Sequence, residues 1–262
     1  MSFHAHPDDE AIQTGGVIAR AAAEGHRVVL VLATKGEHGE VDDGVLGDGE
    51  TLAERRVVET EAAAQILGIS RVAFLGYTDS GMAGTPENDR SGSFWTADPE
   101  EAAERLAQIL REEDAEVLTV YDDHGGYDHP DHIQVHRVGI RAAELAGTPR
   151  VYEATMNRDE VRRFMIEMRD EAKQHGIDTE AELGNPHELT MGTPADQITT
   201  TVDVSEYVDT KRTALSAHAS QVDETSFFLA MPTEHFRRAF GTEWFIRRDG
   251  PRASEEDWLF PD

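Results

Sequence analysis

Ala115-Glu116-Val117-Leu118-Thr119-Val120-Tyr121 reads as a buried strand, His129-Pro130-Asp131-His132 as the polar turn that follows it, and Ile133 to Leu145 as a helix with apolar residues at helical spacing. Strand, polar turn, helix is the repeating half of a βαβ unit. Working back from this stretch, Asp98 and Pro99 supply an N-cap and a first helical position for a helix running to Arg111. Before it come a strand from Arg71 to Tyr77, an amphipathic helix from Leu52 to Leu67 ended by Gly68, and a buried strand from His26 to Thr34. At the start, the apolar run Phe3 to Ala5 meets a polar loop and then Gly15-Gly16-Val17-Ile18-Ala19, again strand, loop and helix. Helix and strand trade places throughout, which predicts an α/β protein: a mainly parallel sheet covered on both faces by helices, a Rossmann-like three-layer α/β/α core. Working forward, Val151 to Ala154 adds a strand, Glu160 to Gln174 a helix, Asn185 to Gln197 a loop, Ile198 to Val204 a strand, Val208 to Ala219 a helix and Trp244 to Arg247 a last strand. Residues 1–262 are expected to form a single domain, with residues 155–262 as its C-terminal cap or lid portion.

The turn His129-Pro130-Asp131-His132 has a counterpart in His6-Pro7-Asp8-Asp9, with Glu10 after it. A lone His-Pro-Asp is an ordinary turn, since Pro presets φ and Asp bonds back to the backbone. Two such turns, each at the carboxyl end of a predicted strand, stand where open α/β sheets place their ligands. Imidazoles and a carboxylate suit a borderline cation such as Zn2+, and three protein ligands with an open position make a site that activates water. His-x-x-Asp on a tight loop aims His6 and Asp9 at one point, and the distant His132 closes the set. Asp8 is then left over for proton transfer, the alternative being an N-cap for the following helix. His129 is expected near the metal without binding it, with Asp131 fixing its tautomer. His136 and His4 read as packing residues, and His38 and His124 as loop histidines.

These two tetrads resemble those of the PIG-L/LmbE family of zinc-dependent N-deacetylases. Gly76-Tyr77-Thr78-Asp79-Ser80-Gly81-Met82-Ala83-Gly84-Thr85-Pro86, Gly192-Thr193-Pro194 with Thr199 to Val204, Ala217-His218-Ala219-Ser220-Gln221 and Asp257-Trp258-Leu259-Phe260 are similar to its mycothiol branch, which deacetylates an N-acetylglucosaminyl-inositol or cleaves mycothiol S-conjugates. The resemblance implies an LmbE-like fold, one Zn2+ per chain, and hydrolysis of an amide, the N-acetyl bond of an amino sugar or mycothiol-like substrate, by metal-bound water activated by Asp8. It also implies an oxyanion contact for Tyr127, otherwise a packing aromatic at a loop edge. Arg56 and Asp79 match positions that bind sugar or inositol hydroxyls. Their plain readings are a surface ion pair with Glu59 and a turn residue. Gln13 departs from both groups of the branch, which carry Lys or Ser there, and is expected to touch the substrate. Two other classes share the fold: a metal-dependent hydratase or lyase, whose acidic substrate would need a basic pocket, and an idle sugar-binding protein, against which the intact Asp8 and His129 argue.

Composition narrows the partners. The formal net charge is -28, and only Lys35, Lys173 and Lys211 are lysines. A polyanion such as nucleic acid would be repelled, and no basic stripe stands out. With no cysteine, thiolate ligands and disulfides are excluded. No apolar run approaches the roughly 20 residues of a membrane span. The expected partner is a small N-acetylated sugar or thiol conjugate in the cytoplasm, with neither nucleic acid nor membrane.

Overall fold

In chain order the elements are β1 (Ser2–His4), α1 (Asp9–Gln13), α2 (Gly15–Ala23), β2 (Val29–Leu32), α3 (Leu52–Leu67), β3 (Arg71–Phe74), α4 (Pro99–Glu112), β4 (Val117–Tyr121), α5 (Pro130–Ala146) and β5 (Arg150–Thr155). They continue as α6 (Arg158–Gln174), β6 (Thr200–Asp203), α7 (Val208–Ser216), α8 (Phe227–Ala230), α9 (Thr233–Phe240) and β7 (Thr242–Arg247), with short 3-10 turns between. This computed structural model describes residues 1–174, 185–223, 225–248, 250 and 256–260; the remainder of the expected cap portion lies outside the described residues. No described helix is long and apolar enough to cross a membrane.

The helix ends follow local chemistry. Thr51 and Glu54 close a capping box on α3, and Gly68 ends it at φ 77°. The Asp98 carboxylate accepts from the Glu100 and Glu101 amides ahead of Pro99. The strand expected over His26 to Thr34 is only Val29–Leu32, the four residues that pair with β3, three of which also pair with β1.

The strands form one sheet in the order β3-β2-β1-β4-β5-β7-β6, parallel from β3 to β5 and antiparallel at β7 and β6. Phe3, Val31, Leu118 and Val120 pack with Leu106 and Leu110 of α4 and Val135 and Val138 of α5 in one core. Ile18, Ala63, Leu67, Ala214, Leu215 and Phe236 join α2, α3, α7 and α9 in another. The three-layer α/β reading therefore describes the molecule.

Residues beyond 155 do more than cover. β6 and β7 complete the sheet, and α7 packs on α2 and α3. Gly16 is needed here: a Cβ on it would lie 2.5 Å from the Val204 side chain. The buried Glu243 carboxylate accepts from the Gly16 and Val17 amides at 2.8 and 2.9 Å, at the start of α2, and from Lys211 Nζ at 2.7 Å. One carboxylate thus ties β7 to α2 and α7. The helices α8 and α9 did not emerge from the sequence: α8 has four residues and shows no full period, and α9 has eight, about two turns.

Candidate active site

From β1 the chain runs to β2 and β3 on one side, and from β4 to β5 on the other, so the strand order reverses between β1 and β4. Loops leaving adjacent strands diverge at such a point and leave a crevice. Both tetrads lie there. After β1, Asp8 adopts φ 87°, a left-handed conformation that costs an L-residue about 1–3 kcal/mol. Its amide donates to Glu10 Oε2 at 3.1 Å, and its carbonyl accepts from the Ala11 and Ile12 amides. The kink sends the neighbouring carboxylates to different partners: Asp9 to His6 and His132, Asp8 to Arg56. After β4, His129 is the N-cap of α5 and Pro130 its first residue, which places His132 on the first turn. Gly125, at φ 65°, passes so close that a Cβ on it would lie 2.5 Å from His132 Cβ.

That close pass sets a tautomer. His132 Nδ1 lies 3.2 Å from the Gly125 carbonyl, which can only accept, so Nδ1 carries the proton and Nε2 a lone pair. Nε2 is buried and has no hydrogen-bond partner among the described residues. His6 Nε2 lies 3.1 Å from Asp131 Oδ2, so Nδ1 is the nitrogen turned toward Asp9, and it can ligate once its proton has been displaced. Asp9 Oδ2 is 3.4 Å from both His6 Nδ1 and His132 Nε2. Donors about 2.0–2.1 Å from a tetrahedral zinc stand about 3.4 Å apart, so His6, Asp9 and His132 fit such an ion. His6, Asp79 and His129 also cluster, but His6 Nε2, the nitrogen 3.4 Å from Asp79, is already engaged by Asp131.

Burial and charge divide the protons. Burial opposes ionising Asp9, yet His132 and His6 hold it well below the usual carboxylate range. For His6, burial is outweighed by Asp131, Asp79 and Asp9, which raise it. Asp79 is lowered by His6 and by backbone donors in spite of its burial. Burial drives Asp8 up to about 6, against the pull of Arg56 and with a push from Asp9. His129 is lowered to about 4, by burial and then by His6 and His132. Its Nδ1 accepts from the Asp131 amide at 3.1 Å, so this neutral ring carries its proton on Nε2. Tyr127 stands at the rim, 38% exposed, with its ring 6.1 Å from that of His129 and 4.9 Å from that of His132. Burial pushes its phenol up, so the hydroxyl remains a donor.

Several expectations need correction. The Asp131 carboxylate does not fix the His129 tautomer. It accepts from the Ser80 amide at 2.9 Å, from the Ser80 hydroxyl and from His6, while the Asp131 amide serves His129. Asp8 makes no side-chain cap on α1. Arg56 forms no surface pair with Glu59: it is buried, donating to the Pro7 and Gly36 carbonyls and to Asp8 Oδ2 at 3.1 Å. Glu59 instead accepts from the Ser220 amide and hydroxyl. Asp79 does make a turn, accepting from the Gly81 amide at 2.8 Å, and it borders His6 as well. Gln13, four residues after Asp9 and on the same side of α1, is half-buried, and its amide has no partner among the described residues. His4 is a buried packing residue, bonded to Tyr121, Ser2 and Thr14. Sequence reasoning missed Ser80 and His218. The latter donates across the fold to Glu10 Oε1 at 2.6 Å. Its only signal was its place in the segment Ala217 to Gln221.

A crevice at the switch point of an α/β sheet, with three donors that could hold a metal ion and a further carboxylate and neutral imidazole on the same two loops, has the make-up of an enzyme site of the metal-dependent class. The particular family follows from comparison. The pattern of the PIG-L family, GlcNAc-PI de-N-acetylase, matches residues 1–143. A 1D-myo-inositol 2-acetamido-2-deoxy-alpha-D-glucopyranoside deacetylase of Thermomonospora curvata is 41% identical over 97% of this chain and 91% of its own. The chain belongs to the PIG-L family of de-N-acetylases. Among solved structures, the N,N'-diacetylchitobiose deacetylase of Pyrococcus horikoshii superposes with a TM-score of 0.58 at 23% identity, over 94% of this chain and 82% of that one. The 4-carboxy-2-hydroxymuconate hydratase of Pseudomonas putida KT2440 shares the fold too, with a TM-score of 0.55 at 20% identity over 97% of each chain. The fold alone thus does not select the reaction.

Proposed function

We propose that the protein hydrolyses the N-acetyl group of an N-acetylglucosaminyl-inositol, using one zinc ion per chain held by His6, Asp9 and His132. The observation that carries this reading is the convergence of His6 Nδ1, Asp9 Oδ2 and His132 Nε2, with the adjacent Asp8 carboxylate bonded to Arg56 and making no helix cap. The near-full-length similarity to a deacetylase of that pseudodisaccharide supports the substrate class.

Zinc bound there supplies a Lewis acid that polarises the acetamide carbonyl and makes water acidic. Asp8 takes the proton of the attacking water, and a base near neutrality suits that task. Arg56 holds Asp8 in place and keeps it ionised against burial. His129, neutral with its proton on Nε2, donates to the oxygen of the tetrahedral centre, and the Tyr127 hydroxyl adds a second donor. Protonated Asp8 then gives its proton to the departing amine. Asp131 serves two rings, His6 through its carboxylate and His129 through its amide. On this reading Gln13, with its uncommitted amide, serves the leaving-group sugar, and Arg56 and Asp79 serve its hydroxyls.

The test is incubation of zinc-loaded protein with N-acetylglucosaminyl-inositol, following acetate and primary amine together. Equal amounts of both are expected. Hydration of an unsaturated acid with no acetate from the sugar would point to the hydratase chemistry of the related fold, and no product at all would leave a binding protein.

A further inference from the structure

We propose that Glu10 and His218 form a positioning pair that holds Asp8 in its working conformation; this rests on the reading of Asp8 as the base. Asp8 sits at φ 87°, where an L-residue stays only if its surroundings fix it. Its peptide is gripped from two sides. Arg56 holds the Pro7 carbonyl on one side of it. On the other, the Asp8 amide donates to Glu10 Oε2 at 3.1 Å. Glu10 is fully buried, and its second oxygen accepts from His218 Nε2 at 2.6 Å. A carboxylate with one oxygen on each partner cannot rotate without breaking both bonds.

His218 is itself anchored. It follows α7, its ring is fully buried, and its neighbour Ser220 is bonded through amide and hydroxyl to Glu59 of α3. The rigid frame of α3 and α7 therefore reaches the backbone of Asp8 through two side chains. Neither Glu10 nor His218 belongs to the His6, Asp9 and His132 cluster, so the pair acts on the base without holding the ion. This gives the segment Ala217 to Gln221 a task that no substrate contact requires.

The test is a double-mutant cycle on zinc-loaded protein with N-acetylglucosaminyl-inositol. His218→Gln and Glu10→Gln should each lower kcat about 10–100-fold, with KM within about threefold and zinc content unchanged. In an Asp8→Asn background the same substitutions should cost no more than about twofold, because a base already removed cannot be misplaced. An equal loss in both backgrounds, or no loss in the parent, would overturn the pair's role. Glu10→Gln has a volume close to the parent's but only one acceptor oxygen for two donors, so it breaks one of the two bonds and remains informative if His218→Gln folds poorly. Melting curves identify a variant that has lost its fold. If Asp8→Asn alone keeps parental activity, the base assignment fails instead, a result distinct from additivity.

Discussion

Asp8 and Asp9 are neighbours in sequence, yet their surroundings give them opposite proton affinities, Asp9 far below the ordinary carboxylate value and Asp8 raised to about 6. One is thereby suited to a cation and the other to a proton. Asp8→Asn is expected to lower kcat by about two to four orders of magnitude while zinc is retained, as measured by turnover and metal analysis on the same sample. The sign of the pH dependence follows from the same contacts. If Asp8 is the base it works as a carboxylate, and activity should fall as pH drops through its pKa; Arg56 lowers that pKa, so Arg56→Gln should move the acid limb of kcat to higher pH than in the parent. An unmoved limb would show that Arg56 does not act on Asp8. That His6, Asp9 and His132 converge was legible in the sequence because His-x-x-Asp spacing on a turn constrains where the side chains point. The partner of Asp131 was not, because which imidazole a carboxylate reaches depends on Ser80, 51 positions away.

At the scale of elements, the helices with strong end signals were the readable ones. Leu52 to Leu67 was delimited by Thr51 with Glu54 and by Gly68, and Asp98-Pro99 marked the start of α4. Strand ends were misplaced in both directions, too long for β2 and β3 and too short for β5 and β7, because pairing with a neighbour sets them and is not written in the strand itself. The links between elements also escaped the sequence. Glu243, Lys211 and the start of α2 are far apart along the chain but share one buried carboxylate. Removing it leaves a buried ammonium and two bare amides, so Glu243→Ala should destabilise the fold by about 3–5 kcal/mol in urea unfolding. Gly16→Ala should cost about 1–3 kcal/mol by overpacking Val204, and Val204→Ala should recover part of that loss. Additive losses in that pair would mean the contact is not the cause.

The whole molecule carries a formal charge of -28, and its self-repulsion sets how it responds to salt. Raising the ionic strength from about 0.01 to 0.1 M shortens the Debye length from about 30 to 10 Å, so the melting temperature should rise over that range. A fall would mean that exposed pairs such as Arg20–Glu24 and Arg141–Glu100 outweigh the repulsion. The α/β order was legible at this scale because strands and helices alternate up to β5. The antiparallel edge was not, since β6 and β7 are joined through the helices α7, α8 and α9, and their pairing with β5 is set by tertiary packing. On the proposed mechanism, one ion at the β1–β4 crevice, served by Asp8, drives deacetylation. Titrating zinc into metal-stripped protein while recording acetate release from N-acetylglucosaminyl-inositol tests it directly. Activity should rise from near zero to a plateau at one zinc per chain. Full acetate release from the stripped protein, or none at any zinc ratio, would contradict it.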